Sequence, residues 1–307
     1  MKTLAFGAVM AIVGIAMSMQ YFTTKEDTLS ISTPPVRVAH ALMREGDTHY
    51  DHAVTATSTT TVREDVWVTE FSAEVQGAPH QLLHNFYLYV DGQPDTWCPD
   101  RDTILWSGGT VSAQKPSVFE EPYGILLEKG TVLRLESLFV DEGGGHGTEH
   151  EPSLRVNMRT EPAAVSKRTV PLTYAALTPA PCDLTRPIFR IDAQARDATF
   201  STERRPFIFP SDGRILRTTA HFHASYERGI VNTLRLFLNG SRIDEFASTD
   251  VANPAERNPT LLKGESPFPI KKNDVLWMEA VFNNPSDTPV AEGMAIVSFY
   301  FAPEYAQ

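Results

Sequence analysis

Cysteine is scarce, basic charge is in the minority and helical spacing is missing. Only 2 cysteines occur in 307 residues, and no Cys-x-x-Cys pair exists to make a redox or zinc motif. Lys and Arg number 27 against 38 Asp and Glu, a formal net charge of −11, and the pI is near 5.3. Nucleic acids and anionic membrane surfaces require clustered cations, so both are excluded as partners. No Gly-rich phosphate loop follows a strand and no Gly-x-Ser-x-Gly elbow occurs, which removes the P-loop and the nucleophile-elbow chemistries. No long stretch repeats its apolar residues at helical spacing, which argues against helices crossing over a parallel sheet.

What remains is short strands and turns. Val66-Trp-Val-Thr-Glu-Phe-Ser-Ala-Glu-Val75 alternates apolar and polar residues, as does Asn85-Phe-Tyr-Leu-Tyr-Val90 ahead of Asp91-Gly92. With 22 prolines and 18 glycines punctuating such runs, the expected class is all-β, built of two tandem antiparallel β-sandwich domains of jelly-roll type. An internal repeat supports the doubling. Val132-Leu-Arg-Leu-Glu-Ser-Leu-Phe139 matches Val275-Leu-Trp-Met-Glu-Ala-Val-Phe282 at four of eight positions, and each follows a Pro-aromatic pair and a Lys-containing turn. The expected sandwiches cover 46–162 and 186–303, joined by a Pro-, Ala- and Thr-rich linker at 163–185. Residues 24–45 read as a polar leader.

Ahead of the leader, Lys2 precedes an apolar run from Leu4 to Met19. Residues 1–22 read as a signal peptide, with small residues around Ala16-Met-Ser18 for cleavage, or as an uncleaved membrane anchor. Either way the expected location is secreted, periplasmic or otherwise extracytoplasmic, with membrane contact only if the segment is retained. In an oxidising compartment Cys98 and Cys182, each in a Pro-containing loop, are expected to form a disulfide, two buried thiols being the alternative.

The chain's most suggestive chemistry lies in Arg214-Ile-Leu-Arg-Thr-Thr-Ala-His-Phe-His-Ala224. On a strand His221 and His223 leave the same face, roughly 6.6 Å apart at ~3.3 Å per residue, and one metal ion can sit between them. The run Thr233-Leu-Arg-Leu-Phe-Leu238 follows and closes on Asn239-Gly240, a strong turn signal. His49 and His52 flank a polar strand start. Asp91, Asp95, Asp100 and Asp102 cluster as Ca²⁺ ligands do, but their spacing misses the EF-hand pattern and fits a solvated loop.

Two tandem sandwiches, a His-x-His strand in the second and Met294 opening its last strand together resemble the copper type II, ascorbate-dependent monooxygenases. That family includes peptidylglycine α-hydroxylating monooxygenase and dopamine β-monooxygenase. The resemblance implies copper as cofactor, held by His221, His223 and Met294, a donor set suited to Cu(I). It further implies O₂, an external reductant and a small-molecule or peptide substrate to be hydroxylated. In the first half it weakens. Leu82-Leu-His-Asn-Phe86 retains one histidine of a family pair, leaving His84, His80, His146 and His150 as candidates for a second metal site. Arg217, Arg228 and Arg235 lie near the histidines in sequence, and none reads uniquely as a carboxylate clamp.

Two other functions fit the same residues. One is an exported copper-binding or carrier protein without catalysis. The other is a metal-free sandwich module that binds glycans or proteins, with Trp97, Trp106 and Tyr226 as candidate contacts.

Overall fold

Alternation without helical spacing produces strands almost throughout. The computed structural model describes residues 27–39, 52–109, 116–141, 149–180, 182, 188–223, 231–247 and 267–304, with backbone only at 27, 221–223, 231–232 and 292. The first half contributes β1 (Asp27–Ser32), β2 (Val54–Thr61), β3 (Val66–Gln76), a 3-10 turn (His80–Leu82), β4 (Leu83–Pro94) and β5 (Asp102–Gly109). Then come β6 (Ser117–Val118), β7 (Tyr123–Leu127), β8 (Val132–Phe139), β9 (Ser153–Pro162) and β10 (Val170–Pro171). The second half contributes β11 (Thr173–Leu177), β12 (Ile188–Ile191), β13 (Ala198–Ser201), β14 (Phe207–Ile208) and β15 (Gly213–His223). It ends with β16 (Val231–Leu238), β17 (Ser241–Ala247), β18 (Phe268–Ile270), β19 (Val275–Asn283) and β20 (Val290–Pro303).

These strands form two β-sandwiches, as expected. Sheets of order β1-β9-β3-β7-β10 and β2-β8-β4-β5 enclose the first core, and sheets of order β11-β20-β15-β18 and β13-β19-β16-β17 enclose the second. The sequence repeat is also a topological one. β9, β3 and β7 occupy in the first sandwich the places of β20, β15 and β18 in the second, and β8, β4 and β5 those of β19, β16 and β17. Even the bulges correspond: the β3–β9 register shifts between Val68 and Glu70, and the β15–β20 register between Ile215 and Arg217.

Local chemistry sets the turns. The β16–β17 hairpin closes through Asn239 and Gly240, both at positive φ (51° and 79°), the conformation that Asn-Gly tolerates best. Asp91-Gly92 makes no such hairpin. β4 continues to Pro94, and the chain reverses only through a longer loop carrying Trp97 and Cys98. Gly213 opens β15 where a Cβ would meet the Ala302 carbonyl oxygen at 2.3 Å, so the close approach of β15 to β20 needs glycine. Three strands fall outside the sandwich ranges expected from sequence: β1 pairs with β9 from within the polar leader, and β10 and β11 pair with β7 and β20 from within the linker segment.

Cys98 and Cys182 form the expected disulfide, at a sequence separation of 84. It ties the β4–β5 loop of the first sandwich to the segment leaving β11. The loop around it is dense with bonds. Asp95 Oδ1 accepts from the backbone N–H groups of Trp97 and Cys98 at 2.9 and 2.8 Å, and Trp97 Nε1 donates to the Arg205 carbonyl at 2.9 Å. The Arg205 guanidinium lies 4.5 Å from the centroid of the Trp97 ring and donates to the Ala180 carbonyl and to Cys182 Sγ. Because the closed loop is long, replacing Cys98 and Cys182 together by serine should lower the unfolding free energy by about 2–4 kcal/mol. Denaturant titration of the two proteins side by side measures this.

Candidate functional site

The two sandwiches meet along β20. Its residues alternate between two cores: Ala295, Val297, Phe299 and Phe301 belong to the second sandwich, whereas Met294, Ile296, Tyr300 and Ala302 join the core of the first. β11 follows suit through Tyr174 and Ala176. At this seam Tyr300 packs edge-on against Phe119, 4.9 Å between centroids, and its hydroxyl donates to the Leu105 carbonyl at 3.3 Å. Tyr174 bonds to Ser107 Oγ at 2.6 Å and to Ser298, and Ser298 Oγ lies 2.6 Å from Thr219 Oγ1. A chain of hydroxyls therefore runs from the first sandwich across the seam to β15.

β15 forms the polar continuation of that seam face. Arg217 pairs with Tyr300, Thr219 with Ser298, His221 with Ile296 and His223 with Met294. The register thus places both histidine positions and Met294 at one end of the seam face. The Met294 side chain is fully buried there, in the core shared by the sandwiches, where a flexible thioether fills space.

Of the four histidines considered for a first-half metal site, three lie among the described residues. His80 sits in the 3-10 turn before β4 rather than on a strand with His84. His84 lies at the start of β4, with its Nε2 buried, and His150 pairs with Val38 in an isolated bridge. His146 lies outside the described residues, as do His49, Tyr226 and Arg228. β4 is the counterpart of β16. The counterpart of β15 is β3, which carries Glu74 and Gln76 in the places of His221 and His223. Among the described residues no three His, Cys, Asp or Glu side chains are grouped so that they could hold a metal ion. The four aspartates considered for Ca²⁺ are otherwise engaged or apart: Asp91 and Asp102 bind Arg134 at 2.9 and 2.6 Å, Asp95 lies 3.4 Å from Arg101, and Asp100 is exposed in the loop.

The aromatic contacts expected from sequence are also displaced. Trp97 and Trp106 are 7% and 3% exposed; Trp97 underlies Arg205, and Trp106 stacks on Phe71 in the first core. A half-exposed aromatic pair lies instead on the outer face of the β13-β19-β16-β17 sheet. Phe237 and Trp277 are cross-strand partners with centroids 3.9 Å apart and planes 3° from parallel. One step along the same face, Arg235 donates to Glu245 and Glu279, each at 2.8 Å, and Arg242 pairs with Glu245. The available sequence signal was an aromatic in the polar stripe: Arg235 and Phe237 alternate with Leu234, Leu236 and Leu238, and Trp277 and Glu279 with Leu276 and Met278.

No protein-family model matches the sequence, and no curated protein matches it. Solved structures similar to this chain include recombinant peptide:N-glycanase F, at 13% identity and TM-score 0.43, covering 91% of this chain and 96% of that one. Another is PNGase F described as a glycosylasparaginase from Flavobacterium meningosepticum, at 12% identity and TM-score 0.43, covering 92% and 97%. A third is PNGF-II, at 10% identity and TM-score 0.41; 91% of this chain is covered, spanning 66% of that one. These neighbours are not copper monooxygenases, which corrects the resemblance drawn from sequence together with the copper, oxygen and reductant it implied. The His-x-His strand and a late methionine misled because both are also parts of an ordinary sandwich, with Met294 serving as seam core.

Two outcomes follow from the seam. Met294→Ala should cost about 2–5 kcal/mol of stability, as for other buried large-to-small changes, measurable by denaturant unfolding without any metal present. Burial holds the hydroxyls of Tyr174 and Tyr300 above the ordinary tyrosine range, with Ser107 and Ser298 partly opposing the shift at Tyr174. Unfolded tyrosines ionise near pH ~10, so this stability is fully present below ~pH 10 and is lost as pH rises beyond it. Unfolding titrations from about pH 8 to 11 should show that decline, and Tyr300→Phe should flatten it.

Proposed function

We propose that the protein is an exported, metal-free glycan-binding double sandwich, and that glycans dock on the outer face of the β13-β19-β16-β17 sheet. The observation that carries this reading is the half-exposed Phe237–Trp277 pair set beside a fixed lattice of guanidinium and carboxylate groups. A pyranose presents C–H groups on its faces and hydroxyls at its rim. The first suit an aromatic surface, and the second suit donors and acceptors already held in place. Arg235 and Arg242 balance Glu245 and Glu279, two charges against two, so the face favours an uncharged ligand. Partly exposed ion pairs of this kind add little to folding stability. Their consequence is the fixed orientation of the groups.

Export is supported by the apolar N-terminal segment and by the Cys98–Cys182 bridge, which persists in oxidising compartments. Glycans, free or carried on protein, are then the accessible ligand class.

Screening the full chain on a glycan array, followed by calorimetry, tests the reading. Trp277→Ala should weaken the best neutral glycan about tenfold, the loss of ~1.4 kcal/mol expected when a central aromatic contact is removed. Adding a chelator should leave the affinity unchanged. Binding that vanishes with the chelator, or that ignores both Trp277→Ala and Arg235→Ala, would overturn the proposal.

A further inference from the structure

We infer a second binding site, for a ligand bearing a single carboxylate, on the wall that β15 presents beside the interdomain seam, with Arg217 as its cation. The cross-strand register puts Arg217 and Thr219 on the seam face, opposite Tyr300 and Ser298, and the bonded hydroxyls of Thr219 and Ser298 fix that orientation. Both residues are half-buried. First-sandwich strands approach the seam at β11 and β20, while β15 meets β16, β18 and β20 of its own sandwich and packs Leu216 against the core shared with the first.

Arg217 differs from every other buried or half-buried arginine among the described residues. Arg101 lies against Asp95, Arg134 against Asp91, Asp102 and Glu136, Arg168 against Glu161, and Arg235 against Glu245 and Glu279. Among those residues Arg217 has no ion pair. A guanidinium that gives up part of its hydration without a counter-charge is costly to hold, and an anion entering beside it recovers that cost. The neighbouring Tyr300 cannot supply the charge, because its buried hydroxyl stays protonated at neutral pH.

The ligand's chemistry follows from what surrounds Arg217. A guanidinium fork matches the two oxygens of a carboxylate. One cation in a chain of net charge −11 favours a singly charged ligand over a phosphate dianion. The next residue on that face, Thr219, ends the hydroxyl chain through Ser298 and Tyr174 to Ser107. Either of the Thr219 and Ser298 hydroxyls can be the donor, so the chain can reorient to offer a proton or an acceptor to a group held by Arg217.

Two kinds of molecule carry such a group: an acidic sugar and a peptide C-terminus. Calorimetry with the full oxidised chain separates them, comparing methyl glucuronide with methyl glucoside, and an acetylated dipeptide ending in a free carboxylate with its amide. The expected result is binding of one acid at least tenfold tighter than its neutral counterpart. Arg217→Ala should weaken that acid 10- to 100-fold. Arg217→Lys should restore part of the loss, since it keeps the charge but not the fork. The surface control Arg63→Ala should change the affinity less than twofold. Unfolding midpoints measured alongside confirm that each variant is folded.

Equal binding of acid and neutral counterpart in both series overturns the site. So does an Arg217→Ala variant that is folded and binds the acid as well as the unaltered chain, or full competition by inorganic sulfate at equal concentration. None of these outcomes bears on the Trp277 face, which the neutral glycans report separately.

Discussion

Everything in this molecule hangs on one strand buried on both of its faces. β20 gives alternate side chains to two different cores, so neither its inward nor its outward row meets water along the stretch from Met294 to Ala302, apart from the partly exposed Ser298. A strand in that position cannot slip by one residue. A slip would exchange Phe299 and Phe301 with Tyr300, carrying a phenolic hydroxyl into the mainly apolar second core and pulling aromatic rings out of it. The register of β15 against β20, and with it the placement of Arg217, Thr219 and the two histidine positions, is therefore set by packing on both sides of the shared wall.

The seam is also where polar groups are least free. The hydroxyls of Tyr174, Ser298, Thr219 and Ser107 satisfy one another across it, and Tyr300 finds the Leu105 carbonyl. Buried hydroxyls without partners would cost more than these bonds contribute, so the chain constrains how the sandwiches can dock. The disulfide and the Arg205–Trp97 contact act at another part of the same junction. Covalent and noncovalent ties together hold the two outer faces and the β15 wall at fixed separations, which a binding surface assembled from sheet residues requires.

The two halves share a frame and differ in chemistry. The two sandwiches share strand order and even the position of the bulge in β3 and β15. Backbone geometry is thus common property, and a difference in function must come from side chains on equivalent positions. Glu70 stands where the second sandwich has Arg217, and Glu74 and Gln76 where it has His221 and His223. The wall of β3 is accordingly acidic and that of β15 basic. Glu70 lies 3.8 Å from Arg159 on neighbouring β9, whereas the corresponding neighbour of Arg217 is the uncharged Tyr300.

The sequence by itself determined the all-β class, the doubling and the disulfide. Alternation, Pro and Gly punctuation, the repeat of Val132–Phe139 in Val275–Phe282 and a cysteine count of two are local or additive properties, and each acts without knowledge of the fold. It also determined which side chains share a face, since alternation along a strand does not depend on neighbours. What it could not decide was which of two faces is covered. Both rows of β20 read as apolar and the outer row of β16 mixes Thr233 and Arg235 with Phe237, but neither pattern says what packs on a row: one row of β20 meets a second sandwich, and the outer row of β16 remains half-open. Trp97 and Trp106 accordingly went inside while Phe237 and Trp277 stayed half-exposed, and the Met294 side chain lies in the core. Burial is set by what packs against a residue from elsewhere in the chain, and only the docking of one sandwich on the other assigns it.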